Sequence, residues 1–373
     1  MNDSPKVSHK PVIPFDYGTL REDAATFYSD NKIFDGFKNV SITKKLMSLA
    51  GSFEITMTDK WKAERSDFQL KPGSRIHCHI GKEAVFEGYV DVMNLNITPG
   101  SRNITISGRD RTADLIDCSH VGPAEYNKLG IKEIAEQMTA PFGIKVINPF
   151  NVDLGSVFEK FTVRVGETVF EALTRAAKQR EIVLLTSTHG NLIFDKVGIR
   201  QSGTELVEGI NVKITGSTFD NSQRFSEYIV KGQQPGLVGK GKETTQSKAT
   251  AKDNGVTRYR PTIILADQSS DNDAAQKRAN FESSFKSAKA TKISCTVRDW
   301  RKISGDLWAV NELVFIDAKS IGVSGSFLIA SVRFNLGDSG RSADLELVRK
   351  DAFNFLPEKK KSDDPLDTVG WAL

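Results

Sequence analysis

Three stretches of the chain carry residue types that chemistry uses. His77 and His79 flank Cys78. Alternation along a strand puts both imidazoles on one face, the start of a metal pair. No third His, Cys or carboxylate stands at fixed spacing beside them, so exposed strand histidines are the favoured reading. Asp110, Asp114 and Asp117 are spaced to share one helical face. Such a cluster would hold a cation or share a proton. The favoured reading is an N-cap at Asp110 and first-turn acids stabilised by the helix dipole, with Arg109 and Arg111 as partners. The third stretch is basic. Lys231, Lys240, Lys242, Lys248, Lys252, Arg258 and Arg260 meet only Glu243 and Asp253. A stretch of this kind can contact phosphate without reading bases. Lys240, Lys242, Lys248 and Lys252 are the candidates for that role, against the plainer reading of a solvated linker.

Nothing here assembles into a recognisable reaction centre. No catalytic, cofactor-binding or metal-binding residue is assigned. The chain has no G-x-S-x-G, H-E-x-x-H or Walker sequence. Glycoside hydrolysis needs two carboxylates held across a sugar bond, and spacing in a β-rich chain does not reveal such a pair. Cys78, Cys118 and Cys295 stand far apart, which gives neither a disulfide framework nor a zinc pattern. Reduced thiols and synthesis in a cytoplasm are expected. A formal charge of +4 on 373 residues argues against a dedicated nucleic-acid binder. No apolar run reaches membrane-spanning length, so stable membrane insertion is not expected.

The elements that must position these residues are mostly strands. Residues 1–30 read as a polar N-terminal arm. From there, Val40 and Ile42, then Phe53, Ile55 and Met57, then Ile76, Cys78 and Ile80 alternate with polar residues. Val85 to Ile97 continues the pattern, Pro99-Gly100-Ser101 turns the chain, and Ile104 and Ile106 return. These strands define a first barrel over 31–112, completed by about 205–231. Residues 113–204 change period. Ile131, Ile134, Ala135 and Met138 form a helical stripe, and Thr168 with Glu171 has capping-box spacing before a second helix. This is an α+β insertion. Residues 232–290 read as a basic loop and helix connector, 291–351 as a second barrel, and 352–373 as a C-terminal tail. A long alternating strand, a turn and a returning strand occur at 89–110 and again at 327–351. Duplication and common hairpin grammar both account for that recurrence. Trp300 and Trp308 are expected in the core or at a subunit contact.

Four segments also carry a resemblance. They are GYVDVMNLNITPGSRNITISGRDRTADLIDCS from Gly88, RFSEYIVKG from Arg224, VTRYRPTIILAD from Val256, and LWAVNELVFIDAKS from Leu307. In this order they resemble the baseplate hub proteins of Mu-like contractile-tailed phages. These are similar in architecture to the hub halves of type VI secretion spike proteins. The resemblance implies a mainly β fold with α+β insertions and two similar barrel-like tube domains per chain, arranged as a pseudo-sixfold ring in a homotrimer. It implies a structural, non-enzymatic role in the virion's tail baseplate. The hub would adapt a hexameric tail tube to a trimeric tail spike protein, beside other baseplate proteins, around a channel for double-stranded DNA. Val369, Trp371 and Leu373 are then the candidates for docking on the spike. The alternatives are a tail-associated peptidoglycan-degrading enzyme and the hub part of a secretion-system spike.

Overall fold

The computed structural model describes residues 24–29, 32–34, 37–58, 70–98, 101–178, 180–233, 246–265 and 272–353. The first block is all strand: β1 (Ala25–Ser29), β2 (Lys32–Phe34), β3 (Asn39–Lys45), β4 (Ser48–Thr58), β5 (Arg75–Ile80), β6 (Glu83–Thr98) and β7 (Ser101–Asp110). Alternation decides the faces. Val40, Ile42, Phe53, Ile55, Ile76, Cys78, Ile104 and Ile106 are all buried in one core. The strands order as β3-β4-β7-β6-β5-β1-β2. A bulge between Val90 and Val92 bends β6 against β7. Two glycines permit the close approach beside it. A Cβ on Gly88 would collide with the Arg109 carbonyl oxygen, and one on Gly108 with that of Tyr89.

The insertion contains α1 (Ala113–Asp117), β8 (Glu125–Leu129), α2 (Ile131–Thr139), β9 (Val146–Ile147), β10 (Phe158–Thr162), α3 (Val169–Lys178), β11 (Val183–Thr186) and β12 (Leu192–Asp195). It buries its own core, which includes Ile134, Met138, Leu173 and Phe194. The capping box forms as its spacing predicts: Thr168 N donates to Glu171 Oε2 at 2.9 Å, and Glu171 N to Thr168 Oγ1 at 3.2 Å. β11 and β12 pair as a hairpin around His189-Gly190-Asn191.

The chain then re-enters the main sheet through β13 (Arg200–Gln201), β14 (Leu206–Val207) and β15 (Val212–Phe219). A side module follows: β16 (Glu227–Gln233), β17 (Gln246–Lys252), β18 (Pro261–Leu265) and α4 (Asn272–Lys289). The second block closes with β19 (Thr291–Val297), β20 (Glu312–Ala318), β21 (Val323–Gly337) and β22 (Gly340–Val348). Its strand order is β15-β19-β22-β21-β20. Counted along the chain, that is the order of β3-β4-β7-β6-β5 in the first block. The blocks share a second feature. β21 carries a bulge between Ile329 and Ser331, and the stretch from Ile329 to Gly337 at the hairpin turn equals that from Val90 to Thr98 in β6. The recurrence at 89–110 and 327–351 is therefore a recurrence of topology and register. β21 pairs with β3 and fuses the blocks into one 14-stranded sheet with a shared core. Trp300 and Trp308 are buried in that core. The Trp300 indole donates to Asn335 O and Ser342 O at 2.9 and 3.0 Å.

Several boundaries differ from the sequence expectation. Residues 25–29 are not arm but a buried strand, because β1 covers the edge of β5. The region 205–231 does not complete the first block: β15 pairs with β19, and β16 pairs with β17 and β18 in a separate sheet. The connector is largely folded. Ala249 and Ala251 alternate with exposed Lys248, Thr250 and Lys252, and pack with Ala275 and Ala279 of α4. Alanine makes a weak apolar signal, yet its small volume lets helix and sheet approach closely.

Candidate assembly surface

The basic residues nominated for phosphate contact separate. Lys240 and Lys242 lie outside the described residues. Lys248 and Lys252 are on β17, on the face turned away from α4. Lys248 sits directly across from Lys231 on β16. Like charges so placed repel, and both side chains are exposed. Lys252 is already engaged, 3.7 Å from Glu227 Oε1. Below them Arg224 holds Asp253 at 2.7 and 2.9 Å and lowers its carboxyl pKa. Val369, Trp371 and Leu373 lie outside the described residues.

His77 and His79 do share a face of β5, but they are half-buried rather than exposed. Burial lowers the pKa of both, opposed for His77 by Glu87, whose Oε2 is 3.6 Å away. Glu87 is the residue that sequence reasoning missed. It is buried, and Arg75, Arg111 and His77 converge on it. Arg111 therefore serves Glu87 and the carbonyl of Gly143 rather than the helix acids. Only register could have revealed this, since β5 and β7 approach β6 from opposite sides. Among the described residues, no group of three His, Cys, Asp or Glu is placed to hold a metal ion.

The three acids also part company. Arg109 bridges Asp91 at 2.8 Å and Asp117 at 2.8 and 3.1 Å on the surface. Asp110 is not the helix N-cap. Thr112 takes that position, and Asp110 ends β7 as a buried carboxyl. Gly51 N donates to its Oδ2 at 2.6 Å and Thr112 N to its Oδ1 at 3.1 Å. A hydroxyl chain continues from it. Thr112 Oγ1 contacts Asp110 Oδ1 and lies 2.6 Å from Thr186 Oγ1, which donates to Leu49 O at 2.7 Å. Burial pushes the Asp110 pKa up to about 6, against the pull of Thr112, Gly51 and Lys44. This network ties the first block to the insertion, from β4 through β7 to β11.

What remains open is sheet edge. β5 covers β6 only as far as Tyr89. Among the described residues, nothing pairs with Asp91–Thr98 on that side. β15 is likewise paired with β19 on one side only along Thr215–Phe219. Val92, Leu95, Ile97, Ile214 and Phe219 lie exposed on these two edges. Long apolar edges invite another strand. The polar clusters thus sit within the first block and between it and the insertion, while apolar edges of both blocks stay open.

The fold is that of phage tail proteins. It matches the 43 kDa tail protein of prophage MuSo2 from Shewanella oneidensis with a TM-score of 0.79 at 33% identity, covering 90% of this chain and 100% of that one. Four family profiles match: the Mu phage baseplate assembly protein GpP-like N-terminal domain at 26–110, the baseplate hub protein gp44-like second domain at 112–196, the tail protein NMB1110-like third domain at 224–280, and the Mu phage baseplate assembly protein GpP fourth domain at 271–358. The baseplate hub protein gp44 of Escherichia phage Mu is 33% identical over 337 residues, 88% of each chain. The chain belongs to the baseplate hub family of Mu-like phages. An E. coli component of the type VI secretion system shares the fold at a TM-score of 0.50 and 11% identity, over 84% of this chain and 73% of that one.

Proposed function

We propose that three copies of the chain close into a ring in which six similar strand blocks imitate sixfold symmetry. The observation that carries this reading is the repeated strand order within one polypeptide. A trimer of two-block chains meets a hexameric tail tube block for block, and its true threefold symmetry suits a trimeric spike. The hub is then a structural adaptor with no catalytic step. It is made in the host cytoplasm, built into the virion's baseplate beside the tube, the spike and other baseplate proteins, and threaded by double-stranded DNA during ejection.

The mass of the purified protein across a concentration series, alone and with the spike protein, tests the ring. A threefold mass on concentration or on spike addition is the expected result. A monomer under every condition overturns it.

DNA passage makes its own demand. A conduit must not grip its cargo, so the exposed Lys231 and Lys248 supply a diffuse field only. Short duplexes are expected to show weak, sequence-independent retention that vanishes as salt rises. A tight complex with one sequence, measured by fluorescence anisotropy, contradicts the conduit.

A further inference from the structure

We infer that neighbouring copies of the chain are joined by antiparallel pairing of the distal half of β6 in one copy with β15 in the next. The inference rests on the ring proposed above. It follows from the strand junction that, among the described residues, already joins the two blocks. There the distal half of β21 pairs with β3, with Ser331 across from Lys45, Phe334 from Ile42 and Leu336 from Val40. β21 is the fourth strand of its block and β3 the first of the other. The reciprocal junction, fourth strand of the first block to first strand of the second, has no partner among the described residues of one chain. Those two strands are β6 and β15.

The template also sets the register. Bulge and turn align β21 with β6, so that Phe334 corresponds to Leu95 and Leu336 to Ile97. The common second strands align β3 with β15. Ile42 faces Phe53 on β4, and Ser217 faces Ile293, the residue of β19 equivalent to Phe53. The junction therefore sets Met93 opposite Phe219, Leu95 opposite Ser217, and Ile97 opposite Thr215 of the next copy. Surface chemistry fits. Leu95 and Ile97 are 48% and 69% exposed, and Phe219 is 62% exposed. Met93 already leans on the main core. Pairing extends that core across the junction, and the small Ser217 and Thr215 leave room for Leu95 and Ile97. An edge contact of this kind joins different surfaces head to tail, and such contacts generate rings when the rotation closes.

Disulfide trapping reads the register directly. Cys118 is exposed, whereas Cys78 and Cys295 are buried, so the variants carry Cys118→Ser. A mixture of Leu95→Cys and Ser217→Cys proteins is oxidised, and so is a mixture of Asn94→Cys and Thr218→Cys proteins. Adjacent cross-strand pairs alternate between close and wide spacing, so one of the two suits a disulfide whichever phase the ladder takes. That mixture is expected to shift from monomer to covalent dimer on a non-reducing gel, while the off-register mixture of Leu95→Cys and Thr215→Cys stays monomeric. The protein carrying both Leu95→Cys and Ser217→Cys, or both Asn94→Cys and Thr218→Cys, closes into a covalent trimer. Mass in solution separates the two levels of the argument. A trimer that no on-register pair traps overturns the strand pairing and leaves the ring standing. Absence of any trimer overturns both.

Discussion

Gly108→Ala is expected to destabilise the hub by about 3 kcal/mol, the upper part of the usual range for overpacking. The added methyl would strike the Tyr89 carbonyl oxygen and stand 2.7 Å from Phe53 Cε1. Neither can retreat cheaply. The carbonyl belongs to the bulged segment of β6, and the Phe53 ring is wedged against Phe27 and Phe86 at 5.7 and 5.1 Å between centroids. The second block shows the other solution to the same packing problem. There the position equivalent to Gly108 is Leu347, and the residue opposite is Ile293 in place of Phe53. Bulk lost on one strand is restored on its neighbour. Urea unfolding of the purified variant measures the effect, and a midpoint equal to that of the parent would show that β6 and β7 are looser than this geometry requires.

Asp110 gives a stability effect that depends on pH. Its carboxyl sits near 6 when folded and near 3.8 when not. The folded protein therefore holds the proton more tightly, and Asp110 contributes most below the unfolded value. That contribution is lost as pH rises through 6. An asparagine side chain at this position has no such proton to lose. The stability of Asp110→Asn relative to the parent is expected to improve by about 2 kcal/mol between pH 4 and pH 8. Denaturant titrations of both proteins at the two pH values measure it. A constant difference would mean that the folded carboxyl stays ionised throughout this range.

Strands and faces were legible in the sequence wherever alternation was strong. Val40 and Ile42, Phe53 and Ile55, and Ile104 and Ile106 all stand buried as the pattern implies. The capping box of Thr168 and Glu171 was equally local, and it formed. What sequence could not supply was which strand lies beside which. β15 follows the insertion and reads like a return to the first block, yet it opens the second. The Glu87 cluster and the burial of Asp110 are consequences of that same long-range register. β17 escaped because Ala249 and Ala251 are small and its other face carries Lys248, Thr250 and Lys252. The repeated hairpin was visible, but its meaning depended on strand order, which the divergence of Gly108 and Leu347 conceals at the level of residue identity.

The corner between the first two strands of each block is a tight turn in one case, at Leu46-Met47 between β3 and β4, with Lys45 paired to Ser48. In the other it houses the whole of β16, β17, β18 and α4. One scaffold corner thus tolerates either almost nothing or an entire folded passenger. At the compact version Met47 is 57% exposed while Leu46 beside it is buried, so the short corner closes on the core that the long one leaves to its passenger.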